Sequence, residues 1–405
     1  LEAWVNTSFA NALPLDTASG AAAAYSLRNL SSSYTGSVVD VRRSSDGEPR
    51  SFTAAEVTDG TLVDWVTEEQ VGWNVQPTWD VSSGDGVITS QSKTATTSTF
   101  SITTTSGDSF VRQSSKPNHV IASSGDQVVA NITLSGFDAD VSARLRTAGT
   151  NINVAQQTLS NGTADYTFNL TGSVGYFAIS NIEATSGATL TFNSIKVIGK
   201  SGYVSKWYDQ STTSGVPNAN HAVQTDAASQ PKIVDGGTLV TGGLDFDGVD
   251  DSLLSTSVYS TASHISAFFL ADSTGTDNRV IDTRGTGAAG TVQGWFARFS
   301  SSGGTSLVDD GSASFGTTNI IRSGKSLVTV LASQTIIEDY TNGTLSASDT
   351  GSIGSFYSSN PLTIGANSNG QNTQLFGGTI AEIIIYNSDQ SDNRTALEAN
   401  IGEVY

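Results

Sequence analysis

Four aspartates crowd one short stretch: GGLDFDGVDDSLL, residues 242–254, carries Asp245, Asp247, Asp250 and Asp251. Carboxylate oxygens at that density suit calcium, a hard cation that takes oxygen ligands. The glycine is misplaced for an EF-hand loop, and Asp-Gly is itself a bend former, so the string reads equally well as a turn between strands. These four are the weak calcium candidates, and no other cofactor is expected. Sugars lay their CH faces on flat aromatic rings while nearby Asp, Asn or Gln exchange hydrogen bonds with the hydroxyls. Of the six tryptophans, Trp73 and Trp79 sit where such a stacking loop would fit, whereas Trp207 and Trp295 are expected in the core. His119, His221 and His264 are scattered singly, as surface or structurally satisfied histidines would be, and no metal site or Ser/His/Asp triad is drawn from them. RGTGAAG (284–290) contains GxGxxG, but the following TVQGWFARF does not read as the helix a dinucleotide fingerprint must open. It is expected to be a loop between strands.

The elements that must hold these residues are strands. Of 405 residues, 37% are hydrophobic and 14% charged, with Ser, Thr and Gly filling the gaps between short apolar runs. That texture suits an all-β protein with many turns, and the length allows two or three domains. The formal charge of −19 opposes nucleic acid and anionic membrane partners. There is no cysteine, hence no disulfide or thiolate chemistry. No run approaches the roughly 20 apolar residues that span a bilayer; GGTIAEIIIYN (377–387) is strand length, so no membrane insertion is expected. The start, LEAWVNTSFA, lacks a signal-peptide pattern and is expected to be a processed or truncated end.

Between about 70 and 200, strand-like runs follow one another at short spacing, among them STFSITTT (98–105), QVVANITL (127–134), ADYTFNL (164–170), GYFAIS (175–180) and ATLTFNSIKVIG (188–199). The stretch 20–47 opens with Ala23, Leu27 and Leu30 at helical spacing and then turns to VVDVRR, a strand. A C-terminal helix is expected, capped by Ser391 or Asp392, with Leu397, Ile401 and Val404 as its apolar stripe.

Three resemblances organise these pieces. VGWNVQPTWDVSSGDGVITS, GDQVVANITLSGFDADVSARL and the closing SNGTADYTFNL with TLTFNSIKVIG resemble jelly-roll modules like carbohydrate-binding modules, which recur in phage tail proteins. FDGVDD, the distant IGAN, then GTIAEIIIYN and a C-terminal helix resemble the concanavalin-like (laminin-G-like) lectin sandwich. AAYSLRNLSSSYTGSVVDVRRSSDG with WYDQSTTSGVPNANHAVQ resembles the catalytic sandwich of α-L-arabinofuranosidase B, and the same two motifs occur in phage structural proteins. The implied fold is all-β: a concanavalin A-like β-sandwich (1–69 plus 201–405) interrupted by an inserted β-sandwich or jelly roll (70–200), with short helices near both termini.

Hydrolysis by such a sandwich needs two carboxylates flanking the scissile bond. The resembled family uses a glutamate in its central strands, yet residues 200–337 contain none; Glu338 and Glu382 come first. Asp272, Asp282, Asp309 and Asp310 could substitute, but their spacing singles out no pair. No catalytic residue is therefore assigned. The resemblances imply a non-enzymatic virion protein of a tailed phage, a capsid decoration, knob or tail-fibre subunit. Its expected place is the virion surface, outside the cell, and its expected partners are other virion proteins, copies of itself and host-surface polysaccharide. The alternatives are a secreted lectin-like carbohydrate-binding protein and an arabinofuranosidase-like glycoside hydrolase.

Overall fold

The computed structural model describes residues 12–404 apart from 72–78, 83–85, 94–96, 114–123, 148–151, 175, 212–219, 259–262, 275–277, 285–292, 300–303, 321, 323, 355–360 and 368–373. Its strands fall into two hydrogen-bonded groups, one drawn from residues 23–52 and 202–386, the other from 69–198. The first is a concanavalin-like sandwich with a single large apolar interior built around Trp207, Phe246, Phe269, Trp295 and Ile383.

At its centre lies the strand Gly377–Tyr386. One edge pairs antiparallel with Ala23–Ser26 and, further along, with Leu244–Asp247; the other pairs with His264–Ser273. Ile380, Ile383 and Ile385 point into the interior, while Ile384 and Tyr386 point to the opposite face, under the helix Arg394–Val404. A strand buried on both faces reads as an unbroken apolar run, which is why IAEIIIY lacks alternation. Where neighbours cross this strand closely, only glycine fits: a Cβ on Gly243, at φ +119°, would lie 2.2 Å from the Ile380 carbonyl oxygen.

The expected helix at Ala23 is a strand instead, Ala23–Ser26, with all four residues buried. Ala23 and Tyr25 face the interior and Ala24 the outer cluster. A short strand covered on both sides places apolar residues at helical spacing by accident, and periodicity alone cannot separate the two. VVDVRR does form a strand, Val39–Arg43. The helix Arg394–Val404 buries Leu397 and Ile401, but Val404 is 51% exposed in its last turn. Its flanking residue is Asn393, whose carbonyl accepts from Leu397 N, rather than Ser391 or Asp392. No helix among the described residues is long and apolar enough to cross a membrane.

The second group is organised by one long strand, Tyr176–Ile198, which pairs with Ser98–Gln113, Gln127–Ser135 and Val141–Arg146. The two runs GYFAIS and ATLTFNSIKVIG are thus parts of a single strand, its register shifting between Ile179 and Ala188. Its interior holds an edge-to-face chain of rings, Phe168 to Phe177 (5.3 Å), Phe177 to Phe192 (5.4 Å) and Phe192 to Phe100 (6.3 Å). The two groups meet at buried Asp126, whose Oδ1 accepts from Ser44 Oγ (2.7 Å) and Lys200 N (2.8 Å).

Candidate ligand cleft and the polar clusters around it

The motif stretch 23–30 and the described residues of the motif stretch 207–221 are each other's hydrogen-bond partners. Asp209, 1% exposed, accepts from Ala24 N (2.8 Å) and Ser211 N (2.9 Å) through Oδ1, and from Ser211 Oγ (2.8 Å) and Asn220 N (3.0 Å) through Oδ2. Gln210 Oε1 accepts from Leu30 N, and its Nε2 donates to the carbonyls of Ser26 and Arg28. His221 Nδ1 accepts from Asp209 N, with its ring edge-on to Tyr208. Burial holds His221 below the ordinary histidine range, the Asp209 charge opposing it, and pushes the Tyr34 phenol up to about 12. Next to this knot, fully buried Glu382 is held by Arg28 in a two-pronged pair (2.8 and 2.9 Å) and by Ser26 Oγ (3.0 Å). Desolvation raises its carboxyl, opposed by Arg28. These groups are committed to the fold.

The remaining carboxylates sort by their partners. Asp282 Oδ1 accepts from Arg284 N (2.7 Å), and the Arg284 guanidinium lies 3.6 Å from Asp309, so one arginine ties the two aspartates together. Asp310 accepts from Ser312 N, Ala313 N and Gly354 N, and those bonds hold its carboxyl far below the usual range. Buried Asp339 is paired with Arg322 and accepts from Ser306 Oγ (2.8 Å).

Of the four calcium candidates, Asp247, Asp250 and Asp251 come together, with carboxylate oxygens within 4.8 Å of one another, enough to offer three oxygens to a hard cation. Asp245 stands apart, on the strand Leu244–Asp247 opposite Lys232. Asp251 Oδ2 accepts from Asp247 N, and Asp247 Oδ1 from Val249 N and Asp250 N, so the turn also closes on itself. Burial, with Asp247, Asp250 and Asp245 nearby, pushes Asp251 up to about 7 against the bond from Asp247 N. Trp73 lies outside the described residues. Trp79 begins the strand Trp79–Ser82, opposite Gln113, and its side chain is likewise outside them. Neither tests sugar stacking. Trp207 and Trp295 are buried, as expected.

A cleft of about 210 Å³ opens on the outer face of the sandwich, before the C-terminal helix. Its wall is three neighbouring strand ends, His264–Ser273, Ser326–Ser333 and Ile336–Thr341, with His264 opposite Ser333 and Leu331 opposite Glu338. The turn leading into Arg394–Val404 adds Asp389 and Ser391. Ile265, Leu331, Ala332 and Ile336 supply apolar surface; His264, Ser333, Glu338 and Asp389 supply polar groups. Each of the three titratable side chains is anchored at one end. His264 Nδ1 meets Ser263 Oγ (3.1 Å), Glu338 Oε2 accepts from Tyr340 Oη (3.2 Å), and Asp389 Oδ1 accepts from Ser391 N (2.9 Å). Among the described residues no hydrogen-bond partner takes His264 Nε2 or Glu338 Oε1, whereas Asp389 is also bonded by the Ser391 side chain. The Ser391 bonds, with His264 further off, hold Asp389 below the ordinary aspartate range and so ionised at neutral pH.

Residues 246–394 match the family model described as the concanavalin A-like lectin/glucanases superfamily. That span runs from the aspartate turn to the first residue of the C-terminal helix and contains every residue lining the cleft. No curated protein matches the chain. Among solved structures, the chain is similar to the CBM40 module of Ruminococcus gnavus IT-sialidase bound to α2,3-sialyllactose, at 16% identity, TM-score 0.28, over 33% of this chain and 81% of that one. It is also similar to domains LG4-5 of the mouse laminin α1 chain, at 10% identity, TM-score 0.31, over 64% and 81%. Likenesses this distant carry neither ligand nor activity across.

Sequence reasoning reached the lectin-like sandwich and missed the cleft. His264 was expected to be an isolated surface or structural group, and Glu338 mattered only as the first glutamate after a long gap. No motif joins them. The available signal was alternation: in HIS, LAS and IIE the polar residue next to an apolar one points to the sheet's outer face.

Proposed function

We propose that this chain is a non-enzymatic glycan-binding protein whose cleft takes a saccharide. The observation that carries the reading is the set of polar side chains, half-anchored His264 and Glu338 with Asp389 beside them, held over apolar surface within the lectin-type span. A carboxylate with one fixed oxygen is a pre-oriented acceptor for sugar hydroxyls, an imidazole nitrogen adds a donor or acceptor, and Ile336 and Leu331 meet the sugar's CH groups. The non-enzymatic part is supported by the occupation of the other carboxylates: Asp282 and Asp309 are tied to Arg284, and Glu382 to Arg28. The setting we propose is the surface of a tailed-phage virion, as a decoration, knob or tail-fibre subunit assembled from copies of itself and other virion proteins. The support is the motif resemblance of 23–47 and 207–224, whose described residues serve here as scaffold. Repetition on a particle would multiply weak single sites.

A glycan array probed with the full chain, followed by calorimetry on the retained oligosaccharides, tests the reading: binding is expected, and at least tenfold weakening in Glu338→Ala. Retention unaffected by that change would place the sugar elsewhere. Turnover of aryl arabinosides would overturn the non-enzymatic assignment. Light scattering after size exclusion is expected to show a stable oligomer, and a monomer would remove the assembly role.

A further inference from the structure

Granting the glycan reading just given, the charge of the cleft specifies the class of glycan. We infer that the cleft selects uncharged saccharides and rejects sialylated, sulfated or uronic ones.

Two of its hydrogen-bonding groups, Glu338 and Asp389, are carboxylates; Glu338 keeps one oxygen outside every hydrogen bond among the described residues, and Asp389 is held by Ser391. Asp389 is kept ionised by the Ser391 amide that anchors it. Among the lining residues His264 is the one basic side chain, and it already stands within reach of the Asp389 charge. Arg394, which follows the lining turn in sequence, is committed elsewhere: its Nη1 bonds Glu398 Oε2 (2.6 Å) and its guanidinium lies 4.1 Å from the Tyr340 ring centroid. An anionic sugar is normally received by an arginine fork or a cluster of backbone N–H groups. Here the comparable N–H group, that of Ser391, is already taken by Asp389.

A carboxylate or sulfate ester entering the cleft would come within about 6 Å of two like charges. Even at the dielectric of water, the two repulsions together amount to roughly a tenfold loss of affinity. The chain's net charge of −19 works in the same direction at longer range. Sugar hydroxyls have the opposite relation to the cleft, because a carboxylate oxygen accepts the hydrogens they donate.

The experiment is an array that prints each neutral oligosaccharide beside its sialylated and sulfated forms, with calorimetry on the retained pairs. It is run on the full chain and on the double variant Glu338→Gln/Asp389→Asn, with a thermal melt confirming that the variant is folded. The expected result is retention of neutral members with their acidic forms at least about tenfold weaker. That ratio should fall to about threefold or less in the double variant. Should the variant lose all binding, the same ratio is read on the unaltered chain at about 0.05 and 0.5 M salt, where screening is expected to shrink it. Acidic forms bound as well as or better than neutral ones would overturn the selectivity while leaving the glycan reading standing. So would a ratio indifferent to both the variant and salt. Retention of no glycan would overturn the glycan reading, and this inference with it.

Discussion

The hydrogen-bond knot at Asp209 and the cleft at Glu338 are both clusters of polar side chains on one sandwich, yet they treat hydrogen-bonding capacity in opposite ways. In the knot, both oxygens of Asp209 are saturated by backbone and side-chain donors and both oxygens of Glu382 face Arg28. In the cleft, His264 and Glu338 are each fixed at one atom and left open at the other, and Asp389 is held by Ser391 alone. A buried polar group is costly unless satisfied, so the knot's residues must come as a matched set, and such sets are visible in sequence as motifs. A cleft residue needs only one anchor, and its second partner is outside the chain. The stretches that look most like an enzyme are therefore those most completely occupied with folding.

The sharpest way to break this comparison is Glu382→Ala. It strips a fully buried carboxylate from Arg28 and leaves the guanidinium without its charge partner, which costs about 3–5 kcal/mol. Urea denaturation should show the midpoint falling accordingly. A loss below about 1 kcal/mol would mean that Arg28 finds water or another acceptor and that the knot is not the tie described.

The aspartate turn sharpens the comparison from a third position, because Asp251 is buried but poorly compensated. With a folded pKa pushed up to about 7 from an ordinary 3.8, the native state holds a proton that the unfolded chain has released between about pH 4 and 7. Stability is then greatest near the bottom of that window and falls as pH rises through it. At about 1.4 kcal/mol per unit the fall is roughly 4 kcal/mol. Asp310 has the reverse sign: its pKa is depressed, so its contribution is present above about pH 4 and lost as pH falls further. Thermal melts from pH 3 to 8 should therefore peak at about pH 4–5, and Asp251→Asn should flatten the alkaline limb. Melting temperatures that climb from pH 5 to 8 in the unaltered protein would show Asp251 to be ionised and compensated in the fold.

What could be read from the sequence follows the same division. The sandwich was legible because long apolar runs such as IAEIIIY and alternating runs such as QVVANITL are dictated by burial on two faces or one. The clustering of Asp247, Asp250 and Asp251 was legible because the five residues of one turn, 247–251, suffice to make it. Ala23–Ser26 was misread because four residues buried on both faces carry no period. The cleft was not legible at all: its residues come from three strands and a turn, positions 264 to 391, and strand register brings them together. Register is a property of the sheet, set by pairings over tens of residues, so no local window contains it.

The smallest expected effect is also the most discriminating. Glu338→Gln keeps the shape of the side chain and an acceptor for Tyr340 Oη at a site on the outer face, so stability should change by less than about 0.5 kcal/mol. Saccharide affinity should nevertheless fall about five- to tenfold, because a hydrogen bond to a charged group contributes more than one to an amide, by about 1 kcal/mol or somewhat over. Calorimetry and a melt on the same preparation decide it. If the melt falls as far as it does for Glu382→Ala, Glu338 is a structural group like those of the knot, and its open oxygen is incidental. If the melt is unmoved and affinity drops, the two clusters are different in kind, and the open end of Glu338 is what the fold presents to a ligand.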